Sequence, residues 1–435
     1  MKKRTWYKLD NAAKIYPPIS NEKRGSMFSL SAILFEKIDG EVLNKAVNII
    51  LERFPTFKVR LKRGIFWYYL EENRKPFFVK EEPADFLAFI NENKTNDYLF
   101  EVFYYNNKIT LSVFHCLTDG TGGMEFLKAL IYEYLVLKGH KIKANNSLKT
   151  IYSPPTSEEN DDQFLKVFDK NIGKPDKEKR AFTVSGTNHN ILGNSITTGT
   201  MSVQDIKTLA KKHNTTVTGY VCGLLMHCVN QSYIKDKKCK NKLVKVLVPV
   251  NMRKIYKSKT VRNFALFTRP QHNFNKQIEL NECISVCDKQ LKDGTSKQNM
   301  DKLIYSNVAK EKNLLMKITP LFIKDIAIKI GYSLIGDNLH TITFSNLGIV
   351  SLPEEFNEYV DKFLFSIGAS YSCKMTVSLV SFNDKLTITF SKTIVENNHE
   401  RLFFQTLAQE GVKIEIDSNY WEELKWNIVK TAKLM

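Results

Sequence analysis

The sequence predicts an α+β fold of two similar lobes, on three observations. At 435 residues the chain exceeds what a single hydrophobic core organises, so two domains of comparable size are expected. Both halves read as short strands mixed with helices, and the first half's strands come as hairpins, which disfavours a doubly wound parallel sheet. Between the halves, from His140 to about Gly193, hydrophobic periodicity fades. Ser153-Pro154-Pro155, the acidic run Glu158-Glu159-Asn160-Asp161-Asp162 and the basic run from Lys174 to Arg180 mark a long surface connection. The boundary belongs there, giving lobes over residues 1–180 and 181–435.

The elements follow in order. Residues 1–25 read as irregular, with a break at Pro17-Pro18, and Phe28 to Phe35 as a strand. Asp39 opens a helix whose Leu43, Ala46, Val47, Ile50 and Leu51 form one apolar stripe, and Pro55 ends it. Phe57, Val59 and Leu61 alternate with lysine and arginine before Arg63-Gly64 turns the chain toward Ile65 to Leu70, a hairpin. A second hairpin runs from Tyr98 to Tyr105, turns at Asn106-Asn107 and returns through Lys108 to His115.

In the second half a strand is expected near Ile196 to Met201. Ser202 with Asp205 then caps a helix carrying Ile206, Leu209 and Ala210. A more apolar helix bears Val221, Leu224, Leu225 and Cys228, and Lys235 to Lys242 reads as an exposed loop. Lys242 to Val250 is a strand leading into Asn251-Met252-Arg253. Helical stretches near 277–317 and 321–334 precede a β-rich end: Thr341 to Phe344, Leu364 to Ile367, then Cys373 to Ser381 and Leu386 to Ser391 joined at Asn383-Asp384. A last helix, near His399 to Gln409, stops at Gly411.

One stretch carries the chemistry: Val113-Phe114-His115-Cys116-Leu117-Thr118-Asp119-Gly120, then Thr121-Gly122-Gly123 and a helix. On a strand period His115 shares the face of Ile109, Leu111 and Val113, so its imidazole points into an apolar interior. Asp119 follows four residues on, and Gly120, Gly122 and Gly123 give the turn backbone freedom. Leu127, Leu130, Ile131, Tyr134 and Leu135 repeat at the spacing of one buried helix face. A histidine at a strand end beside a buried carboxylate suits a general base. The plainer reading is a core histidine followed by an N-capping aspartate, and the spacing alone does not separate the two.

Composition narrows the class. Lys plus Arg number 64 against 46 for Asp plus Glu, a net charge of +18 that attracts phosphorylated cofactors, acidic proteins, nucleic acid or anionic membranes without choosing among them. No nucleic-acid module or basic stripe is recognisable, so nucleic acid is not an expected partner. The N-terminus has no apolar core region of a signal peptide, and no apolar run is long enough to span a bilayer. The seven cysteines (Cys116, Cys222, Cys228, Cys239, Cys283, Cys287 and Cys373) show neither Cys-x-x-Cys nor zinc-ligand spacing. Free thiols in a reducing cytoplasm and no bound metal are expected.

His115 to Gly120 resembles the His-x-x-x-Asp-Gly motif of the chloramphenicol acetyltransferase-like superfamily. That superfamily includes alcohol acetyltransferases, plant acyl-CoA-dependent acyltransferases and condensation domains. Trp6 to Pro17, Arg53-Phe54-Pro55, Gly64 to Leu70, Val248 to Arg253 and Ser345-Asn346-Leu347-Gly348 are similar to bacterial alcohol acetyltransferase-like proteins, and these landmarks span most of the chain. The resemblance implies two such lobes, each a mixed, mostly antiparallel sheet with helices, and an active-site tunnel between them. It implies that His115 is the general base, that Asp119 is structural and paired with an arginine, and that Gly120 lets the backbone approach the ligand. Phe114 stands where condensation domains carry a first histidine, which argues against peptide-bond formation.

Buried Asp119 needs a cation, and Arg253 and Arg262 are the candidates; spacing does not choose between them. Ser345 and Asn346 are candidates for the oxyanion donor, against a plain Asn-x-Gly turn. Lys254, Lys257 and Lys259 are candidates for holding coenzyme A phosphates or an acidic carrier protein, against an ordinary solvated loop. The expected activity is acyl transfer from acyl-CoA (acetyl-CoA) as co-substrate to an alcohol-type small-molecule acceptor, with no permanently bound cofactor. An N-acyl or carrier-protein-dependent transferase, or a non-catalytic binding protein, are the alternatives.

Overall fold

The computed structural model describes residues 4–83, 87–145, 147–176, 178–189, 193–233, 242–334 and 338–419. Cys239 and all but the last residue of the loop expected at Lys235–Lys242 lie outside them.

The hairpin that carries the motif forms as its alternation requires: Phe100–Tyr105 pairs antiparallel with Lys108–Phe114. Asn106 takes a left-handed conformation in the connecting turn (φ 49°). Met27–Leu34 pairs with Lys108–Phe114 on the other side, and Lys80–Glu81 runs parallel to Phe100–Tyr105 at the edge. The fifth strand of this sheet is Val360–Ile367, which pairs antiparallel with Met27–Leu34. A strand from beyond residue 181 thus completes the first lobe's sheet, where a division at residue 180 would assign it to the second.

Residues Ile109, Leu111 and Val113 are buried, but so are Thr110, Ser112 and Phe114, because this central strand is covered on both faces. The polar members stay hydrogen-bonded, as in Ser31 Oγ to Thr110 Oγ1 at 2.8 Å. Against the sheet lie the helices Gly40–Arg53, N-capped by Asp39 onto the Glu41 and Val42 amides, and Gly120–Leu137. The latter is buried nearly all round from Gly122 to Leu135, as an apolar sequence dictates.

The second lobe is built on an eight-stranded sheet. Its order is Ala265–Thr268, Leu243–Asn251, Ile342–Ile349, Met375–Phe382, Lys385–Lys392, Ser195–Ser202 and Glu415–Ser418, with Gln271–Asn273 also on Leu243–Asn251. Pairing is antiparallel except at Ile342–Ile349, which is parallel to both neighbours. Hydroxyls of this sheet tie it to the shared strand: Thr387 Oγ1 donates to the Phe363 carbonyl at 2.8 Å and Thr376 Oγ1 to that of Ile367 at 2.6 Å.

Three expectations change. Residues 4–25 are not irregular throughout: Trp6–Lys8 joins Tyr68–Glu72 and Val59–Arg63 in a three-stranded sheet, and Ala13–Ile19 is helical. The stretch 277–317 is three helices, Leu280–Gly294, Lys297–Lys312 and Leu314–Ile318, because Ser296 and Asn313 each cap a new start. The strand expected at Thr341 to Phe344 runs on to Ile349 through a bulge between Asn346 and Ile349, where Gly348 adopts φ 79°.

Candidate active site

The strand Lys108–Phe114 ends one residue before His115. The His115 amide donates to the Ser26 carbonyl at 3.0 Å, and Leu117 N–H closes a turn on the Phe114 carbonyl at 2.9 Å. His115 is half-buried; Tyr16 stacks on its ring at 4.6 Å between ring centroids, and Phe28 meets it edge-on at 5.3 Å. Its Nδ1 lies 3.0 Å from Asn263 Oδ1.

That contact sets the tautomer. Asn263 Nδ2 donates to the His115 carbonyl at 3.1 Å and to Asp10 Oδ2 at 3.2 Å. A carbonyl oxygen only accepts, so the amide nitrogen must face it and Oδ1 must face the ring. Nδ1 therefore carries the proton, and Nε2 keeps its lone pair as the basic atom. Burial pushes the His115 pKa below its ordinary 6.5, against the opposing pull of Asp119 and the Asn263 bond, so the ring is neutral at neutral pH. The acidic limb of any activity that uses this base is expected to have its midpoint below 6.5; a pH–rate profile with a midpoint above that value contradicts the assignment.

Asp119 does not hydrogen-bond the histidine. Its Oδ1 caps the following helix through Gly122 N–H at 3.0 Å, and its Oδ2 accepts from Arg253 Nη1 and Phe264 N–H, both at 2.8 Å. Burial raises its pKa, but the Arg253 charge and these bonds overcome that and hold it below 3.8. Arg253 is the partner of Asp119. Its Nε donates to the Thr260 carbonyl at 2.7 Å, and its backbone N–H is capped by Asn251 Oδ1 at 3.0 Å. Arg262 turns elsewhere, to Asp10 at 3.5 Å and the Lys8 carbonyl at 2.6 Å. The second-half segment from Asn251 to Phe264 therefore wraps the first-half motif, and Thr118 Oγ1 seals it by donating to the Val261 carbonyl.

The motif glycines serve close approach, not backbone freedom: none of the three has a positive φ, and all lie in the first helical turn. A Cβ on Gly122 would sit 2.0 Å from the Val261 carbonyl oxygen, and one on Gly120 would sit 2.8 Å from Leu347 Cδ2. Gly122→Ala is expected to destabilise the fold by about 1–3 kcal/mol or more, read in chemical denaturation, because the clash is with backbone. Unchanged stability would mean the segment after Arg253 can retreat.

Asn346 uses its side chain on Thr218 Oγ1 (3.0 Å) and on the Gly348 amide (2.7 Å), and Ser345 is buried beside it in the strand. Leu347, between them and Gly348, is the residue that meets Gly120. Lys254, Lys257 and Lys259 are exposed around the end of the helix Met252–Tyr256, with Lys257 left-handed at its cap (φ 50°). Cys116 is fully buried, and burial pushes its thiol well above the ordinary value, so it is no nucleophile. Among the described residues no group of three or more His, Cys, Asp or Glu is placed to hold a metal.

Asn263, Asp10 and Tyr16 join the site without a signal in the sequence. Asp10 and Tyr16 belong to the opening run quoted above, and Asn263 follows Arg262, but nothing in their spacing points to His115.

A scan against protein-family models and a search of curated proteins return no match. Solved structures do match. Trichothecene 15-O-acetyltransferase from Fusarium sporotrichioides aligns with TM-score 0.58 and 10% identity over 94% of each chain. The wax ester synthase/diacylglycerol acyltransferase of Marinobacter aquaeolei VT8 aligns with TM-score 0.55 and 13% identity, over 93% of this chain and 98% of its own. The first condensation domain of the CDA synthetase gives 0.54 and 10%, over 94% and 96%. The chain has the fold of the chloramphenicol acetyltransferase-like acyltransferases and condensation domains. At these identities the likeness is one of architecture, and in that two-lobed architecture His115 stands where second-half Asn263 closes over the first-half turn.

Proposed function

We propose that this protein transfers an acyl group from a coenzyme A thioester to a hydroxyl-bearing acceptor, with His115 as general base. The observation that carries the reading is the Asp10–Asn263–His115 chain, which holds the ring with Nδ1 protonated and Nε2 basic. In the proposed reaction Nε2 takes the acceptor's proton as its oxygen attacks the thioester carbonyl. The tetrahedral intermediate collapses with cleavage of the C–S bond, and the imidazolium returns the proton to the departing thiolate. No acyl-enzyme is needed, in keeping with the buried Cys116 thiol. Asp119 holds Arg253 and the motif's helix in place and does not touch the reacting atoms.

The remaining assignments complete this reading. Of the two oxyanion candidates, Ser345 is the one proposed to face it, the Asn346 side chain being engaged by Thr218 and the Gly348 amide, and Lys254, Lys257 and Lys259 are proposed to meet the phosphates of coenzyme A. The passage by which donor and acceptor reach His115 is proposed to run between the two lobes. The same lysines suit an acidic carrier protein, so the donor is what the experiment varies. Thiol release is measured with acetyl-CoA and with acyl-loaded carrier protein across a panel of alcohols and amines. Release from acyl-CoA matched by ester formation is the expected result. Release only from the carrier would give the carrier-dependent reading, and no release alongside tight carrier binding would make this a non-catalytic binding protein.

A further inference from the structure

Polarity is inverted on the helix Leu321–Leu334. Two of its three charged side chains face the protein: Lys324 and Asp325 are 2% and 7% exposed, while Lys329 is in solvent. Lys324 Nζ donates to the Phe66 carbonyl at 2.8 Å and stands 3.5 Å from the Trp67 ring centroid. Asp325 Oδ2 accepts from Arg63 at 3.0 Å and from the Tyr68 hydroxyl at 2.9 Å. Most of its large apolar side chains face outward, with Phe322, Ile326 and Ile330 exposed by 57%, 56% and 54% along one stripe at four-residue spacing, while Leu321 is buried. The preceding short helix Leu314–Ile318 continues the surface with exposed Leu314, Leu315 and Ile318. The turn at Ile65 and Phe66, also exposed, is tied to the same helix by Leu321 N–H donating to the Ile65 carbonyl at 2.8 Å.

A water-facing surface does not hold this many large side chains together without a partner, since contiguous apolar patches on monomers rarely exceed a few hundred square ångströms. Charge selects the partner. From residue 310 to 333 the exposed charged side chains are Lys310, Lys312, Lys317 and Lys329. The two acids of that stretch are engaged inward, Glu311 by Lys14 and Asn11, and Asp325 as above. A second copy would set lysine against lysine between chains that each carry +18, whereas an anionic bilayer matches both features. We propose that this face docks on the surface of an anionic phospholipid bilayer, with the Phe322–Ile326–Ile330 stripe among the acyl chains and the lysines at the phosphates. No described helix is long and apolar enough to cross a membrane, so the attachment is peripheral. The helix packs on Tyr16–Ile19, whose Tyr16 stacks on His115, so the docked face lies one helix from the imidazole.

The test needs no turnover and so stands apart from the acyl-transfer reading. The full chain is sedimented with phosphatidylcholine vesicles and with vesicles carrying about 30% phosphatidylglycerol, and the lysines predict binding at least about tenfold tighter to the latter. The double variant Phe322→Ser/Ile326→Ser is expected to lose about tenfold or more of that binding with an unchanged melting temperature, both side chains being solvent-facing. Emission from a Phe322→Trp variant should be quenched by brominated acyl chains. Equal sedimentation of the double variant, or no quenching, overturns the proposal. A vesicle-indifferent dimer that the double variant dissociates, or capture of an acidic carrier protein in place of vesicles, overturns it as well.

Discussion

His115→Ala is expected to lower acyl transfer by about 10²–10⁴-fold with little change in melting temperature, the usual contribution of a positioned general base. The loss falls on the chemical step because the substitution removes the basic Nε2 and, on the packing side, only the ring's contacts with Tyr16 and Phe28. The fall should appear in kcat, with the apparent affinity for the thioester nearly unchanged. Unchanged turnover in the purified variant would remove His115 from the mechanism whatever its tautomer.

Arg253→Met is expected to cost about 3–5 kcal/mol of folding stability, because it leaves a buried carboxylate without its cation. Asp119 is 4% exposed and Arg253 9%, so water cannot take over for either. The pH dependence follows from the direction of the Asp119 shift. With its folded pKa held below 3.8, Asp119 contributes stability that is fully present above that value and lost as pH falls through the lowered one. In Arg253→Met burial is opposed only by the Gly122 and Phe264 N–H bonds, so the Asp119 pKa rises relative to the parent's and the gap between variant and parent should narrow toward acid pH. Asp119→Asn leaves the arginine unpaired instead and should likewise act chiefly on stability; a normal melting temperature with lost activity would contradict its structural role. Chemical denaturation at several pH values reads all three.

Much of this was legible in the chain because it depends on local pattern. The hairpin around Asn106-Asn107, the Asp39 and Ser202 caps and the buried helix after Gly122 all follow from periodicity and capping chemistry within a few residues. Likewise, a carboxylate buried at a helix N-terminus announces a need for an arginine. Which arginine answers was not legible: Arg253 and Arg262 sit nine residues apart, and the choice is made by how the loop between them folds back, with Arg253 reaching the Arg262 carbonyl. The Asn263 contact is invisible for the same reason, since His115 and Asn263 are 148 positions apart and meet only in the folded chain. Only the end of the strand Val360–Ile367 was recognisable, over Leu364 to Ile367, and its partner belongs to the other half of the chain. A turn and a tight contact leave the same glycine in the sequence, and at Gly122 only the 2.0 Å approach to Val261 tells them apart.

The central claim is the protonation state of one ring, and nitrogen NMR of ¹⁵N-histidine-labelled protein reads it directly, with the His115 resonance assigned by its loss in His115→Ala. The expected result is a neutral imidazole at pH 7 with the proton on Nδ1, titrating below 6.5. A proton on Nε2, or an imidazolium at that pH, would contradict it.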